Sequence, residues 1–393
     1  MIAAPVPTAL DAALTAIAAR AADADAGTAG LGPDIDRLAA AGVLRSPLPV
    51  DQGGRALGLG QTAAGTVEAV DVLRRIGRAS LPVARLVEGH MNAVKLVALY
   101  GDAPMIGRVS AAVRDGCLMG VWAADDATPL TGTVGVTGTV GADGRVTLTG
   151  GKRFASGLGL VGLAVVSLRP ADGPTPDAAA PEAAAPRLAV VDVTDPARHD
   201  PGAWTAAGMR ATVSGRIDLG GVTLGADDLL GAPGAYGREP HFEGGIWRYC
   251  AAHIGGAEAL ISVWHDRLAA AGRLDDPLQL TRFARAVALC RASLATVREA
   301  AIAAEAAAGG PVAVVDHAVA GCLLARQTVE EMCVAVLALA ETSLGMQAHD
   351  RGSDIERLRR DLSLFIRQAA PDAKLLAAGR ILAARAADGR GLW

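Results

Sequence analysis

The chain has 393 residues, longer than one simple core usually supports, and it is 51% hydrophobic but only 3% aromatic because so much of it is alanine. Its 37 basic and 41 acidic residues nearly cancel and form no basic stripe interleaved with aromatics, which argues against a nucleic-acid partner. Five widely spaced cysteines without a C-x-x-C pair argue against a zinc site or disulfide framework, so no metal is expected.

Alanine is the strongest helix former, so the composition favours packed helices. No apolar run reaches about 18 residues without a charge or histidine, and Met1–Leu14 lacks a basic n-region followed by a long apolar core. No membrane span and a cytoplasmic location are the expectations.

Residues 1–116 read as an N-terminal helical domain. Leu10, Leu14 and Ile17 recur at helical spacing, Leu86 to Leu99 repeats the signal, and Gly53, Gly54, Gly58 and Gly60 mark a loop between them. Residues 117–230 read as a middle antiparallel β-domain. Val134, Val136 and Val140 alternate with small polar residues, and Asp143-Gly144 between VTGTVGA and RVTLTG predicts a hairpin. LGLAVVSLRP, RLAVVDV and GRIDLGGVTL read as further strands, with a proline-, alanine- and acid-rich insertion, Ala171–Pro186, between two of them. Residues 231–393 read as a C-terminal four-helix bundle. Three long helices, IWRYCAAHIGGAEALISVWHDRLAAA, PLQLTRFARAVALCRASLATVREAAIAAEAAA and HAVAGCLLARQTVEEMCVAVLALAETSLG, precede a shorter pair, Asp354–Phe365 and Asp372–Ala386.

That order of domains resembles the acyl-CoA dehydrogenase superfamily, and local sequence strengthens the match. LAAAGVLRSPLPVDQGGRALGLG is similar to the family's early helix and glycine-rich loop, and GVWAADDATP stands where a flavin-contacting strand carries Thr-Glu-Pro. LTGGKRFASGLGLVGLAVVS resembles the segment whose aromatic residue and hydroxyl touch the flavin ring. GMRATVSGRIDLGGVTLGADDLLG is similar to the exit from the β-domain, and IERLRRDL to a Glu-x-x-x-Arg-Asp helix. The resemblance implies a flavoprotein oxidoreductase that is a homodimer or homotetramer. FAD is its usual cofactor, with FMN or a diffusible reduced flavin as alternatives.

A flavin ring is a broad plate with polar edges and needs apolar walls plus a few oriented hydrogen-bonding groups. By resemblance, Trp122 and the backbone of Ala124 would lie along one ring edge, Phe154 against the ring, and the Ser156 hydroxyl near N5. His90 and Glu88 would lie on the floor of the substrate cavity, and Arg248 and Glu243 near the substrate. Arg360-Asp361 would orient and pack. The ordinary alternatives are core aromatics, a turn serine and locally paired charges.

The sequence departs from the family at the catalytic base. The usual glutamate lies eight residues past the helical aspartate; counting from Asp361 reaches Ala369, flanked by Gln368 and Ala370. Arg367 and Gln368 are therefore the active-site candidates, with Asp372 or His90 as substitute bases. Ala124-Asp125-Asp126 replaces Thr-Glu-Pro. The pyrophosphate arginine motif has only Arg273 nearby, and the adenine corner keeps only Gly345. Three functions follow: a flavin oxidoreductase whose small-molecule substrate is a CoA thioester or a different compound; a monooxygenase resembling dibenzothiophene monooxygenase, fed by a flavin reductase or other electron-transfer partner; and a non-catalytic scaffold.

Overall fold

The computed structural model describes residues 8–126, 135–171, 185–368 and 370–391. The N-terminal region folds into α1 (Ala9–Ala26), α2 (Gly32–Ala40), α3 (Ala63–Ala79), α4 (Leu81–Tyr100) and α5 (Ala103–Arg114). Local chemistry sets their starts. Thr8 and Asp11 form a reciprocal capping box on α1, and the Ser80 hydroxyl accepts the Val83 amide at 3.4 Å ahead of Pro82 in α4.

The strands are β1 (Leu118–Trp122), β2 (Thr137–Val140), β3 (Val146–Thr149), β4 (Gly151–Ala155), β5 (Val161–Pro170), β6 (Arg187–Asp192), β7 (His199–Asp200), β8 (Gly215–Asp218), β9 (Thr223–Leu224) and β10 (Leu229–Leu230). The expected hairpin forms: β2 and β3 pair antiparallel with Val140 opposite Val146, and Gly144 takes the positive φ of 75° that the turn demands. The larger sheet runs β10-β6-β5-β2-β3-β9, with β1 also on β5, and β4-β8-β7 forms a second, antiparallel sheet. The expectation of a purely antiparallel domain is corrected here, since β1 and β2 both pair parallel to β5. The intervening chain supplies the crossover that parallel neighbours need. Most of the proline-rich insertion, residues 172–184, lies outside the described residues.

The C-terminal region contains α6 (Trp247–Ala270), α7 (Pro277–Ala306), α8 (Val312–Leu344), α9 (Asp354–Phe365) and α10 (Pro371–Ala387). α6, α7 and α8 pack pairwise, α10 lies on α8, and α3 packs extensively on α6. Small residues permit that last contact: a Cβ on Gly255 would sit 2.0 Å from the Arg74 carbonyl oxygen, and one on Gly77 2.4 Å from that of Ala252. One apolar core therefore runs through all three regions, from Ile17 and Leu73 through Leu148 and Val166 to Trp264 and Val336. No helix among the described residues is long and apolar enough to cross a membrane.

Candidate active site

A cavity of about 890 Å³ opens between the β-domain and the helices, within the size range of small-molecule sites. Its β-side wall comes from the end of β1 and from β4. Val121, Ala123 and Ala124 line it, whereas Trp122 points the other way, as strand alternation requires. Trp122 is fully buried and donates its indole N–H to the Ser156 carbonyl at 3.3 Å. Its expected place along the flavin edge is thus corrected: it is core support behind the wall.

The Ala124 edge is fixed from below. Lys152, fully buried, donates to the Asp125 carboxylate at 2.5 Å, to Ser167 Oγ at 3.0 Å and to the Ala123 carbonyl at 3.3 Å. Burial lowers the Lys152 pKa, and the Asp125 hydrogen bond and charge oppose that fall. Asp125 also accepts the Val136 amide at 3.1 Å. Asp125 thus serves as an anchor for this edge.

Phe154 has a φ of +55°, uncommon for a non-glycine residue, and sits where the β4–β8 register slips between Arg153 and Ala155. The bulge turns its ring into the cavity, where it stays 48% exposed. Trp204 meets it edge-on, with centroids 6.3 Å apart and planes at 88°. Two residues on, Ser156 begins a chain of hydroxyls. Its Oγ lies 2.7 Å from Ser214 Oγ, Ser214 lies 2.7 Å from Thr212 Oγ1, and Thr212 donates to the Met209 carbonyl at 2.8 Å. All three hydroxyl residues line the cavity. Trp204 also donates to the Met209 carbonyl, at 3.1 Å.

The Arg-Asp pair of α9 holds this turn. Asp361 accepts the Met209 amide at 2.5 Å, and Arg360 pairs with Asp25 at 2.6 Å and donates to the Ala207 carbonyl. Burial raises the Asp361 carboxyl to about 6, against the opposing Met209 hydrogen bond.

The helical wall brings Glu88, Arg248, Arg367 and Gln368 to the same cavity. Arg85 engages Glu88 within α4. Arg367 donates to Glu330 at 2.6 Å and is more than half exposed. Arg326 ties down the end of α9 through the Ile366 carbonyl at 3.0 Å. Ala369 lies outside the described residues.

Arg248 is 2% exposed and stacks on Trp247, 4.8 Å from its ring centroid. It donates to the Gly245 carbonyl at 2.9 Å and sits 3.5 Å from Glu305. Glu305 also accepts from Lys95 and from the Trp247 indole. Burial draws Lys95 down to about 8, reinforced by Arg248 and opposed by Glu305. The neighbouring cavity residue His241 is held near 4 by burial, then by Lys95.

His90 is the clearest departure from expectation. It does not line the cavity: it lies buried behind it, accepting the Met119 amide on Nδ1 at 3.0 Å and donating Nε2–H to the Leu44 carbonyl at 2.7 Å. Both ring nitrogens are used, and burial lowers its pKa to about 4. His90 is a crosslink joining α4, β1 and the chain after α2. Sequence reasoning missed Trp204, Tyr236 and His241 as cavity residues, and it missed the relay of Thr212 and Ser214. The relay alone had a visible signal: two hydroxyls two positions apart in ATVSGR. No metal-binding group of His, Cys, Asp or Glu occurs among the described residues.

No protein-family model matches the chain, and no curated protein matches it by sequence. Its fold is acyl-CoA dehydrogenase-like. FMN-bound TdsC from Paenibacillus sp. A11-2, a dibenzothiophene monooxygenase, superposes with a TM-score of 0.80 at 20% identity, covering 95% of this chain and 96% of that one. KijD3 in complex with FMN and a dTDP-linked amino-keto sugar gives 0.76 at 21% identity, over 98% and 95% of the two chains. Methanesulfinate monooxygenase MsuC from Pseudomonas fluorescens gives 0.77 at 16% identity, over 96% of each.

Proposed function

We propose that the chain is a flavin-dependent oxidoreductase working as a monooxygenase on reduced FMN delivered by a separate flavin reductase. The carrying observation is the bulged, half-exposed Phe154, which opens an aromatic slot directly beside the Ser156 hydroxyl and the anchored Ala124 edge. A planar ring with one polar edge fits that wall, and strained or misplaced backbone is concentrated where function needs it. Reduced FMN, when bound, supplies two electrons to dioxygen, so that one oxygen atom enters the substrate and the other leaves as water. FMN is preferred to FAD because the sequence keeps only remnants of the adenine and pyrophosphate motifs, and because solved structures of this fold hold FMN.

In this reading Ala124, Phe154 and Ser156 hold the ring. Arg367 and Gln368, on the opposite wall, orient the substrate against it. Glu88 and Arg248 border the substrate end, where Arg248, Lys95 and Glu305 leave one excess positive charge. A substrate that is a small molecule with a polar or anionic group suits this end better than an unsubstituted alkane. Simple acyl-CoA oxidation is disfavoured: Gln368 and Ala370 provide no carboxylate, and Glu88 and Glu243 are each engaged by a cation.

The reading is tested by equilibrium binding of oxidised and photoreduced FMN, followed by aerobic turnover with NADH and a flavin reductase over a panel of small aromatic and anionic compounds. Binding lost in Phe154→Ala, with a product 16 mass units heavier, is expected; no flavin binding in either redox state refutes it.

A further inference from the structure

The direction of every proton in the hydroxyl chain is dictated by its last member. The Met209 carbonyl can only accept, so the proton of Thr212 is committed to it. Ser214 must then donate to Thr212, and Ser156 must donate to Ser214. Each hydroxyl has one proton, and this order uses all three. Reversing any link would leave two protons facing each other or break a bond of 2.7 Å.

The carbonyl itself is immobile. Met209 lies in a turn at positive φ, its amide is held by Asp361, and its carbonyl also receives the Trp204 indole. Ser156, Thr212 and Ser214 are 8%, 1% and 7% exposed, so bulk water does not readily reset the order.

We infer that the relay Ser156–Ser214–Thr212–Met209 makes Ser156 a fixed hydrogen-bond acceptor toward the cavity, and that the site thereby selects the reduced state of its flavin. The inference rests on the flavin reading above. An oxidised flavin presents a bare N5, an acceptor; a reduced flavin presents N5–H, a donor. With the N5 edge of the ring at Ser156, as the resemblance would place it, a lone pair there would meet the second favourably and the first unfavourably. An uncommitted serine would rotate its proton to satisfy either state. The relay is therefore a positioning device, acting on the ring through Ser156. It tunes which redox form the protein retains, and so lets spent flavin leave and fresh reduced flavin enter.

The experiment is a pair of dissociation constants, for oxidised and for anaerobically photoreduced FMN, on wild type, Ser214→Ala, Thr212→Val and Thr212→Ser. Wild type should bind the reduced form at least tenfold more tightly. Ser214→Ala and Thr212→Val release the Ser156 proton, so each should tighten oxidised FMN and shrink the preference about tenfold. For a two-electron couple that moves the bound potential by about 30 mV to more negative values. Thr212→Ser keeps a hydroxyl on the Met209 carbonyl and should retain the wild-type ratio. Flavin binding with the same ratio in all four proteins overturns the relay but leaves the flavin reading intact. Absence of flavin binding in wild type overturns both. A fall in the ratio in Thr212→Ser equal to that in Thr212→Val also overturns the relay, since packing and not proton order would then be responsible.

Discussion

Replacing Glu305 by Gln should cost about 3 kcal/mol at pH 7, and the cost should shrink as pH rises. Glu305 is the single anion among Lys95, Arg248 and the Trp247 indole, in a site where Lys95 is 2% and Glu305 8% exposed. Burial pulls its carboxyl up, but Lys95 and Arg248 together hold it below its ordinary value. Removing one partner of a buried pair typically costs about 3–5 kcal/mol. Here Lys95 has an escape. Its folded-state pKa is already about 8, against 10.5 ordinarily, and losing Glu305, which holds it up, lowers it further, so near neutral pH it can shed its proton. That caps its added cost at about 1.4 kcal/mol, one unit's worth. Arg248 cannot deprotonate and carries the remainder, about 1.5–3 kcal/mol for a lost interaction with a charged partner. The sign follows from proton counts. A lysine with a depressed folded pKa binds fewer protons folded than unfolded between its two pKa values, so stability rises with pH across that window. The window starts near 8 in wild type and lower in Glu305→Gln, so the gap between them should narrow by up to about 1.4 kcal/mol from pH 7 to pH 9. Urea unfolding at the two pH values measures it, and Lys95→Met in the Glu305→Gln background should abolish the narrowing. A loss under about 1 kcal/mol at pH 7, or a gap independent of pH, would refute the charge assignment.

His90→Ala strands the buried Met119 amide and Leu44 carbonyl, each worth about 1–3 kcal/mol, so it should lower unfolding stability while leaving FMN affinity within a few-fold. Because the His90 imidazole is depressed to about 4, its contribution should disappear as pH falls from about 6.5 to about 4, a loss blunted in His90→Gln, with His241 and His253 behaving alike. Anaerobic mixing of flavin-loaded protein with acyl-CoAs of several chain lengths should leave the oxidised flavin band unbleached; fast bleaching lost on Glu88→Gln or Asp372→Asn would name the missing base. Ser156→Ala should weaken retention of reduced FMN by about 1 kcal/mol, read from the dissociation constant.

Much of the helical framework was legible because its signals are local. Periodic leucines and alanines and the Asp143-Gly144 turn act within a few residues, and they correspond to α1, α4, α6 to α10 and the β2–β3 hairpin. What could not be read depends on partners far along the chain. The parallel pairing of β1 with β5 joins residues more than 40 apart, and nothing near Leu118 announces it. Trp122 was misplaced for a similar reason: strand alternation decides which side chains face the cavity, and its phase is not written in the residues next to it. His90 was misplaced because a histidine on an apolar helix carries no mark of what its ring nitrogens meet. Here they meet a carbonyl 46 residues upstream and an amide 29 downstream.

The two walls of the cavity are held by different physics, and that difference bears on the chemistry. The β-side is fixed by short bonds to backbone: Asp361 to the Met209 amide, Lys152 to the Ala123 carbonyl, Thr212 to the Met209 carbonyl. Such contacts define positions and proton directions to within a rotamer, which suits the proposed role of this wall against the edge of a planar ring. The helical side is held by charge: Lys95, Glu305 and Arg248 at one end, Arg326, Glu330 and Arg367 at the other. Charge pairs tolerate small displacements and set a field more than a geometry. Proton abstraction next to a thioester needs the opposite arrangement, a single carboxylate desolvated and aimed from the helical side. The glutamates there, Glu88 and Glu243, instead lie against Arg85 and Lys374. On the proposed reading, a cavity fixed by backbone contacts on its β-side and by charge on its helical side would hold a reduced flavin and attract small polar molecules toward it, which is the demand that oxygen transfer makes and dehydrogenation does not.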